Sequence, residues 1–424
     1  MHSDGDLHPR TRAMPPLRPP TRVSSPGSTA LDAAPRGGAS RVGVSGARRF
    51  SAAAAVAIML CAGSLQAQDA APAFRYDLGL RPGYHGSWGT TRDGSEREQQ
   101  DLRMRLQLGG LWAPSPTWAV RARLAGRLST EQETLRFFLR DHVPATDGLR
   151  LGEFTLDEAY LRWTPGEHLQ VRVGRMQTSF ELAGVARKSL DRNDSPNTDV
   201  TWTDGAHLSV RVRDGWRQHL VVQRHGSRGP TNVVRRPLDV TGSGTPVTVH
   251  TIAQFAAAGP LIQREVGVTY IPSSAPREGA ERSDYLALVA RGAVRPETRV
   301  MGGRLVLAAE VGAAAGAPSR VALGTGTPED GRGSARAFQL TANLMEFRTR
   351  HSLGLVHART GDGWLISPDI RENNRETELR YYFQLSRSAR LDARIRDRRD
   401  GRVPTGALRG RHDRDVYLRA TLRF

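Results

Sequence analysis

The feature that most constrains this chain is an alternation of apolar and polar residues with period two, recurring from Phe74 to Phe424. Leu102, Met104, Leu106 and Leu108 fall on one face, and Arg103, Arg105 and Gln107 on the other. A proline-rich turn follows at 113–117. Trp118, Val120, Ala122 and Leu124 then alternate with Ala119, Arg121, Arg123 and Ala125, and Arg127 continues the second face. Successive side chains of a strand point to opposite faces, so the pair reads as a β-hairpin. Ala159, Leu161 and Trp163 likewise oppose Glu158, Tyr160 and Arg162, and Val171 and Val173 flank Arg172. Leu208, Val210 and Val212 oppose Ser209, Arg211 and Arg213, before an Asp-Gly turn at 214–215. Further on, Leu379 and Tyr381 oppose Glu378 and Arg380, and Leu391, Ala393 and Ile395 oppose Asp392, Arg394 and Arg396.

Each strand therefore carries one apolar face and one charged face. A soluble sandwich of this length would be expected to divide into domains joined by linkers, and no clear linker is present. A transmembrane barrel uses both faces, turning the apolar one to lipid and the polar one to a wet lumen. The expected fold is thus all-β: a transmembrane antiparallel β-barrel of 16 strands, with 14–18 compatible with the pattern. Short turns are expected at 113–117, 164–168, 214–215 and 386–389. Longer loops are expected near 129–150, 176–206, 224–248, 318–334 and 397–414. Trp112, Trp118, Trp163, Trp216 and Trp364 suit the aromatic girdles of such a barrel. Alternation is weaker over 249–350, which leaves the strand count open.

Ahead of the barrel, residues 1–47 are rich in Pro, Gly, Ser, Ala and Arg without periodicity, and read as a disordered extension. Residues 48–67 combine Arg48-Arg49, a short apolar run and small residues ending at Ala67, the layout of a signal peptide. A membrane anchor is the alternative, but the run is short for one. A signal peptide normally opens a chain, so translation is expected to start near Val42 or Val44. The barrel is then residues 68–424. Cys61, the single cysteine, leaves with the signal.

The net charge of +18 first suggests an acidic macromolecular partner. Only Lys188 is a lysine, so 60 of the 61 basic residues are arginines. These alternate with apolar residues and acids in place of clustering, so nucleic acid is not an expected partner. The two-cysteine, HExxH and P-loop patterns are absent, and no metal, cofactor or enzymatic activity is expected. The rival readings are a phospholipase-like barrel enzyme, for which His85 with Ser87 or His225 with Ser227 would have to serve, and a structural barrel with a plugged lumen.

The ending VYLRATLRF resembles the C-terminal signature that the barrel assembly machinery reads in bacterial outer-membrane proteins, with Tyr417, Leu422 and Phe424 in the signature positions. The segment Phe154–Gly184 resembles a hairpin of the phosphate-selective porin O/P family. Glu158-Ala159-Tyr160, Pro165, Gly174-Arg175 and Ser179-Phe180 occupy its motif positions, with Ser179 where the family usually has proline. That resemblance implies a homotrimeric barrel in the outer membrane, in contact with its lipid and lipopolysaccharide, with a loop folded inward after the hairpin. The family's selectivity is associated with lysine clusters that this chain lacks, so the resemblance carries "porin" further than "phosphate-selective".

On this reading Arg103, Arg105, Arg121, Arg123, Arg127, Glu158, Tyr160, Arg162, Arg172, Arg211, Arg213, Arg380, Arg394 and Arg396 line the pore. Rings of guanidinium favour small anionic solutes; the alternative role of these arginines is to brace the wall against its acids. Arg187, Lys188, Asp191, Arg192 and Asp194 belong to the candidate constriction loop, 176–206, whose alternative is a solvated external loop. The function expected is a passive diffusion channel for small hydrophilic solutes that favours anions.

Overall fold

The computed structural model describes residues 74–130, 155–192, 202–213, 215–224, 247–274 and 281–424. The expected extension 1–47, the expected signal peptide 48–67 and Asp194 lie outside these residues, as do His225 and Ser227.

The alternating segments form β1 (Phe74–Thr90), β2 (Glu96–Trp112), β3 (Trp118–Ser129), β4 (Thr155–Trp163), β5 (Leu169–Met176), β6 (Thr203–Arg213), β7 (Trp216–Arg224), β8 (Val247–Phe255) and β9 (Leu261–Ser274). There follow β10 (Ser283–Val294), β11 (Arg299–Val300), β12 (Gly303–Ala315), β13 (Arg336–Phe347), β14 (His351–Thr360), β15 (Asn374–Gln384), β16 (Ala389–Asp400) and β17 (His412–Arg423). The two-residue β11 only pairs back on Arg304 and Gly303 at a turn. The wall is therefore a closed antiparallel barrel of 16 strands. It closes where β17 pairs with β1; there the Phe424 amide donates to the Leu78 carbonyl at 2.9 Å and the Leu78 amide returns the bond at 3.0 Å. Closure removes both sheet edges, which an apolar membrane interior requires.

Period two sets the two faces as expected. Leu102, Leu108, Val173, Leu355, Leu379, Ile395 and Leu418 are exposed on the outside, Ile395 at 60%. Asp101, Glu158, Glu378, Asp392 and Asp415 are buried within. No helix among the described residues is long and apolar enough to cross a membrane; crossing falls to the strands. Trp118 stacks on Trp163 (5.8 Å between centroids), and Trp216 packs beside Phe255 at the same, short-turn end. The region of weak alternation, 249–350, holds most of β8 and continues through β13. Its inward positions, such as Ala287, Val289 and Ala293, are apolar as well, which blurs the pattern.

Two expectations require correction. Trp364 is no girdle residue. It is 1% exposed, packed inside the barrel with Leu190, Ile271, Tyr285, Ile366 and Ile370. The loop expected over 397–414 is shorter, because β16 runs on to Asp400 and β17 begins at His412. Arg396 faces Asp415 and Arg398 faces Asp413 across these ends, so strand pairing continues through what reads as a polar loop.

Candidate functional site

Five neighbouring strands, β16, β17, β1, β2 and β3, carry most of the inward arginines among the described residues. Like charges directly opposite one another destabilise a sheet, yet Arg81 faces Arg105 between β1 and β2. Acids placed between the rows offset this elsewhere. Asp415 receives Arg394 at 2.5 Å and Arg396 at 2.8 Å, with Arg398 at 3.4 Å. Asp392 receives Arg419 at 2.6 Å, and Asp101 receives Arg103 at 2.5 Å. Arg121 binds Glu158 at 2.7 Å and also Asp77; Arg123 binds Asp157 at 2.7 Å. The register shifts between Arg123 and Leu124, and this bulge turns both Asp157 and Glu158 inward. Arg105 donates to Gln107 at 3.1 Å.

The remaining wall positions vary. Arg162 faces Arg172 between β4 and β5. The Arg172 guanidinium lies 5.6 Å from the Tyr160 ring and 2.5 Å from His207 Nδ1. Arg211 lies at the short-turn rim, 3.9 Å from Glu167, and Arg213 covers the Trp216 ring there. Arg127 belongs to β3, but its side chain is outside the described residues. Tyr417 points inward, its ring beneath Arg394 and Arg419 at 5.0 and 4.7 Å, whereas Phe424 is exposed. His85 also points inward, 3.5 Å from Asp101, away from lipid.

The chain after β5 turns into the lumen. Residues 177–192 lie largely buried against the wall formed by β9, β10, β12, β13 and β15. The Ala183 amide donates to Gln263 at 2.7 Å and the Val185 amide to Asn343 at 2.8 Å. The Leu190 amide donates to Glu310 at 3.0 Å. Lys188 is held between Glu376 and Glu378, 2.7 Å from the latter, and Asp191 is bound by Arg291. Arg380, 2% exposed, donates to the Ala186 carbonyl at 3.1 Å. Lys188, Asp191 and Arg380 are thus anchors between loop and wall, and Arg192 is also buried. Arg187 alone among the described constriction-loop candidates is exposed. Gly184 and Gly354 permit the close approach: a Cβ on either would come within 2.7 Å of Asn343.

A second insertion, 361–373, supports the first. Ser367 Oγ donates to the Ser189 carbonyl at 2.7 Å, and the Ser189 amide donates to Asp369 at 3.0 Å. Trp364, Leu365, Ile366 and Ile370 pack against Leu190 from this side. Apart from Trp364, expected in a girdle, the period-two pattern does not mark this segment. Its signal was an apolar run, GWLISPDI, inside a loop and out of phase with period two.

Between the inward loop and the arginine-bearing wall lies a cavity of about 400 Å³. Arg81, Arg105, Arg123 and Arg423 line it together with Asp157, Glu158 and Ser179. On the loop's other flank a cavity of about 490 Å³ is lined by Glu181, Arg187, Arg295 and Arg304. Burial raises the Glu181 carboxyl to about 7 against the lowering effect of Arg187. No group of three metal-ligating side chains occurs among the described residues.

An apolar-clad, closed 16-strand barrel with a loop folded into a charged lumen is the architecture of an outer-membrane porin. Solved structures share it, and two serve as examples. One is the high-pH structure of OprB from Pseudomonas putida, with a TM-score of 0.55 and 11% identity over 83% of this chain and 94% of that one. The other is the outer-membrane channel DcaP of Acinetobacter baumannii, with a TM-score of 0.52 and 10% identity over 83% of this chain and 97% of that one. At such identities the likeness is one of fold. No protein-family model matches the sequence, and neither does any curated protein.

Proposed function

We propose that this chain is an outer-membrane porin, a passive diffusion channel for small hydrophilic solutes that favours anions of the phosphate and carboxylate type. The observation that carries the reading is the asymmetry of the lumen. The inward loop is anchored on β9–β15, and of the two cavities beside it the one away from those anchors is bordered by Arg81, Arg105, Arg123 and Arg423. Guanidinium stays charged at any relevant pH and pairs with such anions in bidentate fashion. Cationic rings in a pore favour anion passage, and acids among them keep each site weak enough to release the solute. The rest of the proposal follows from the sequence resemblance: export through residues 48–67, assembly signalled by Tyr417, Leu422 and Phe424, and a homotrimer. Likeness to the porin O/P hairpin favours phosphate among the candidate solutes.

Planar-bilayer recording tests this. Stable open steps with an anion-selective reversal potential in a salt gradient are expected. An absence of steps would remove the channel reading, and cation selectivity would remove the role given to the arginines.

A further inference from the structure

The outside of the barrel carries a second set of arginines that the lumen does not use. On β14–β17 the outward face is apolar through Leu355, Leu379, Ile395 and Val416, which lie side by side across the four strands. Four residues further along each strand, toward the long-loop end, the register aligns Arg359, Arg375, Arg399 and His412. Adjacent strands are about 4.8 Å apart, so this row runs for about 15 Å. Arg414 stands one step below it, beside Trp88. Asp397 is the acid within the patch, 3.1 Å from Arg399, 3.2 Å from Arg414 and 2.7 Å from His412. No side-chain hydrogen bond or ion pair joins Arg359 or Arg375 to another described residue, and both are exposed.

Guanidinium groups placed directly opposite one another repel. They would be costly just above an apolar belt unless an external anion lay among them. A free anion would be served by any cationic surface. An anion attached to acyl chains also needs an apolar face beneath it, and Leu355, Leu379, Ile395 and Val416 provide that face below one intervening polar row of His357, Thr377, Asp397 and Arg414. We propose that the outward row on β14–β17 binds the phosphorylated headgroup of an outer-leaflet glycolipid, with Arg359 and Arg375 on its phosphates and the acyl chains on the apolar rows below. Arg399, Arg414 and His412, tied to Asp397, form the edge of the site. The proposal rests on the outer-membrane reading, in which the long-loop end faces outward.

The test uses the purified full barrel in detergent, with bisphosphorylated lipid A as the probe, and the double variant Arg359→Ser/Arg375→Ser. Bound lipid is read by native mass spectrometry, and channel conductance is recorded in parallel. The expected result is at least a ten-fold loss of lipid A binding with conductance unchanged, and weak binding of dephosphorylated lipid A to the parent protein. The proposal is overturned if the variant binds lipid A within two-fold of the parent, or if the dephosphorylated lipid binds equally well. It also falls if inorganic phosphate at matched concentration displaces the lipid, which would mark a plain anion site. A change of oligomeric state with lipid binding intact would assign the row to contact between copies. Because binding is measured in micelles, a barrel that binds lipid A but conducts nothing overturns the channel reading alone.

Discussion

The Lys188 ammonium lies 2.7 Å from a Glu378 carboxylate oxygen, and both side chains are closed off from solvent. Glu376 takes the other side of the same ammonium. Removing one partner of a buried ionic cluster leaves the rest uncompensated, at a cost of about 3–5 kcal/mol. Lys188→Met should therefore free the inward loop, raise single-channel conductance and lower the temperature of the gel-mobility shift. Adding Glu376→Gln, which removes one carboxylate for the one ammonium lost and leaves Glu378 to Arg380 at 2.8 Å, should recover much of the stability. A Lys188→Met channel with parental conductance and heat response would speak against the anchor.

Gly354 tests the same docking through shape alone. It faces the lumen on β14, where a Cβ would come 2.7 Å from the Cβ of Val185. Gly354→Val is expected to push residues 183–186 off the wall and widen the pore while the strand content seen by circular dichroism stays the same. Gly166, in a short turn with open space around it, is the control: Gly166→Ala should leave conductance unaltered.

Arg81 and Arg105 stand opposite each other and border the open cavity. Replacing both by serine should lower the anion-to-cation permeability ratio several-fold, read from the reversal potential. An unchanged ratio would assign these two arginines to bracing.

Glu181 should give the channel a pH dependence. Its carboxyl, raised to about 7 by burial, takes up a proton on docking that the free loop, near the model-peptide value of about 4.3, does not hold. Between those two values the docked loop binds more protons, so docking weakens as pH rises through the window, and the penalty is complete above about 7. Ionisation also adds a negative charge beside Arg187. Anion preference should accordingly be stronger at pH 5 than at pH 8, and Glu181→Gln should flatten the profile. A flat profile in the parent channel would refute the assignment.

Period two made the wall legible, because alternate side chains of Leu102–Leu108 or Leu391–Ile395 meet either lipid or water. It faded where Ala287 and Val289 face an apolar plug, since both faces are then apolar. It also misled at β16–β17, where paired Arg and Asp look like loop. The inward loop could be named from its hairpin, but its anchors could not. Lys188 and Glu376 are 188 residues apart, and nothing local to either announces the other. The same holds for Trp364, whose burial depends on where a neighbouring loop comes to rest. The bulge at Asp157 hides for a related reason: one extra residue changes facing without disturbing the composition.

On the proposed reading, scaffold and passage along the arginine-lined cavity occupy different arcs of one ring. The anchors of the inward loop sit on β9–β15, whereas the arginines bordering the open cavity belong chiefly to β17 and β1–β3. Variation along the second arc can retune which solutes pass without loosening the obstruction, and variation along the first can resize the aperture without rewriting its charge. A lineage, or an engineer, could thus explore size and sign separately in the same chain.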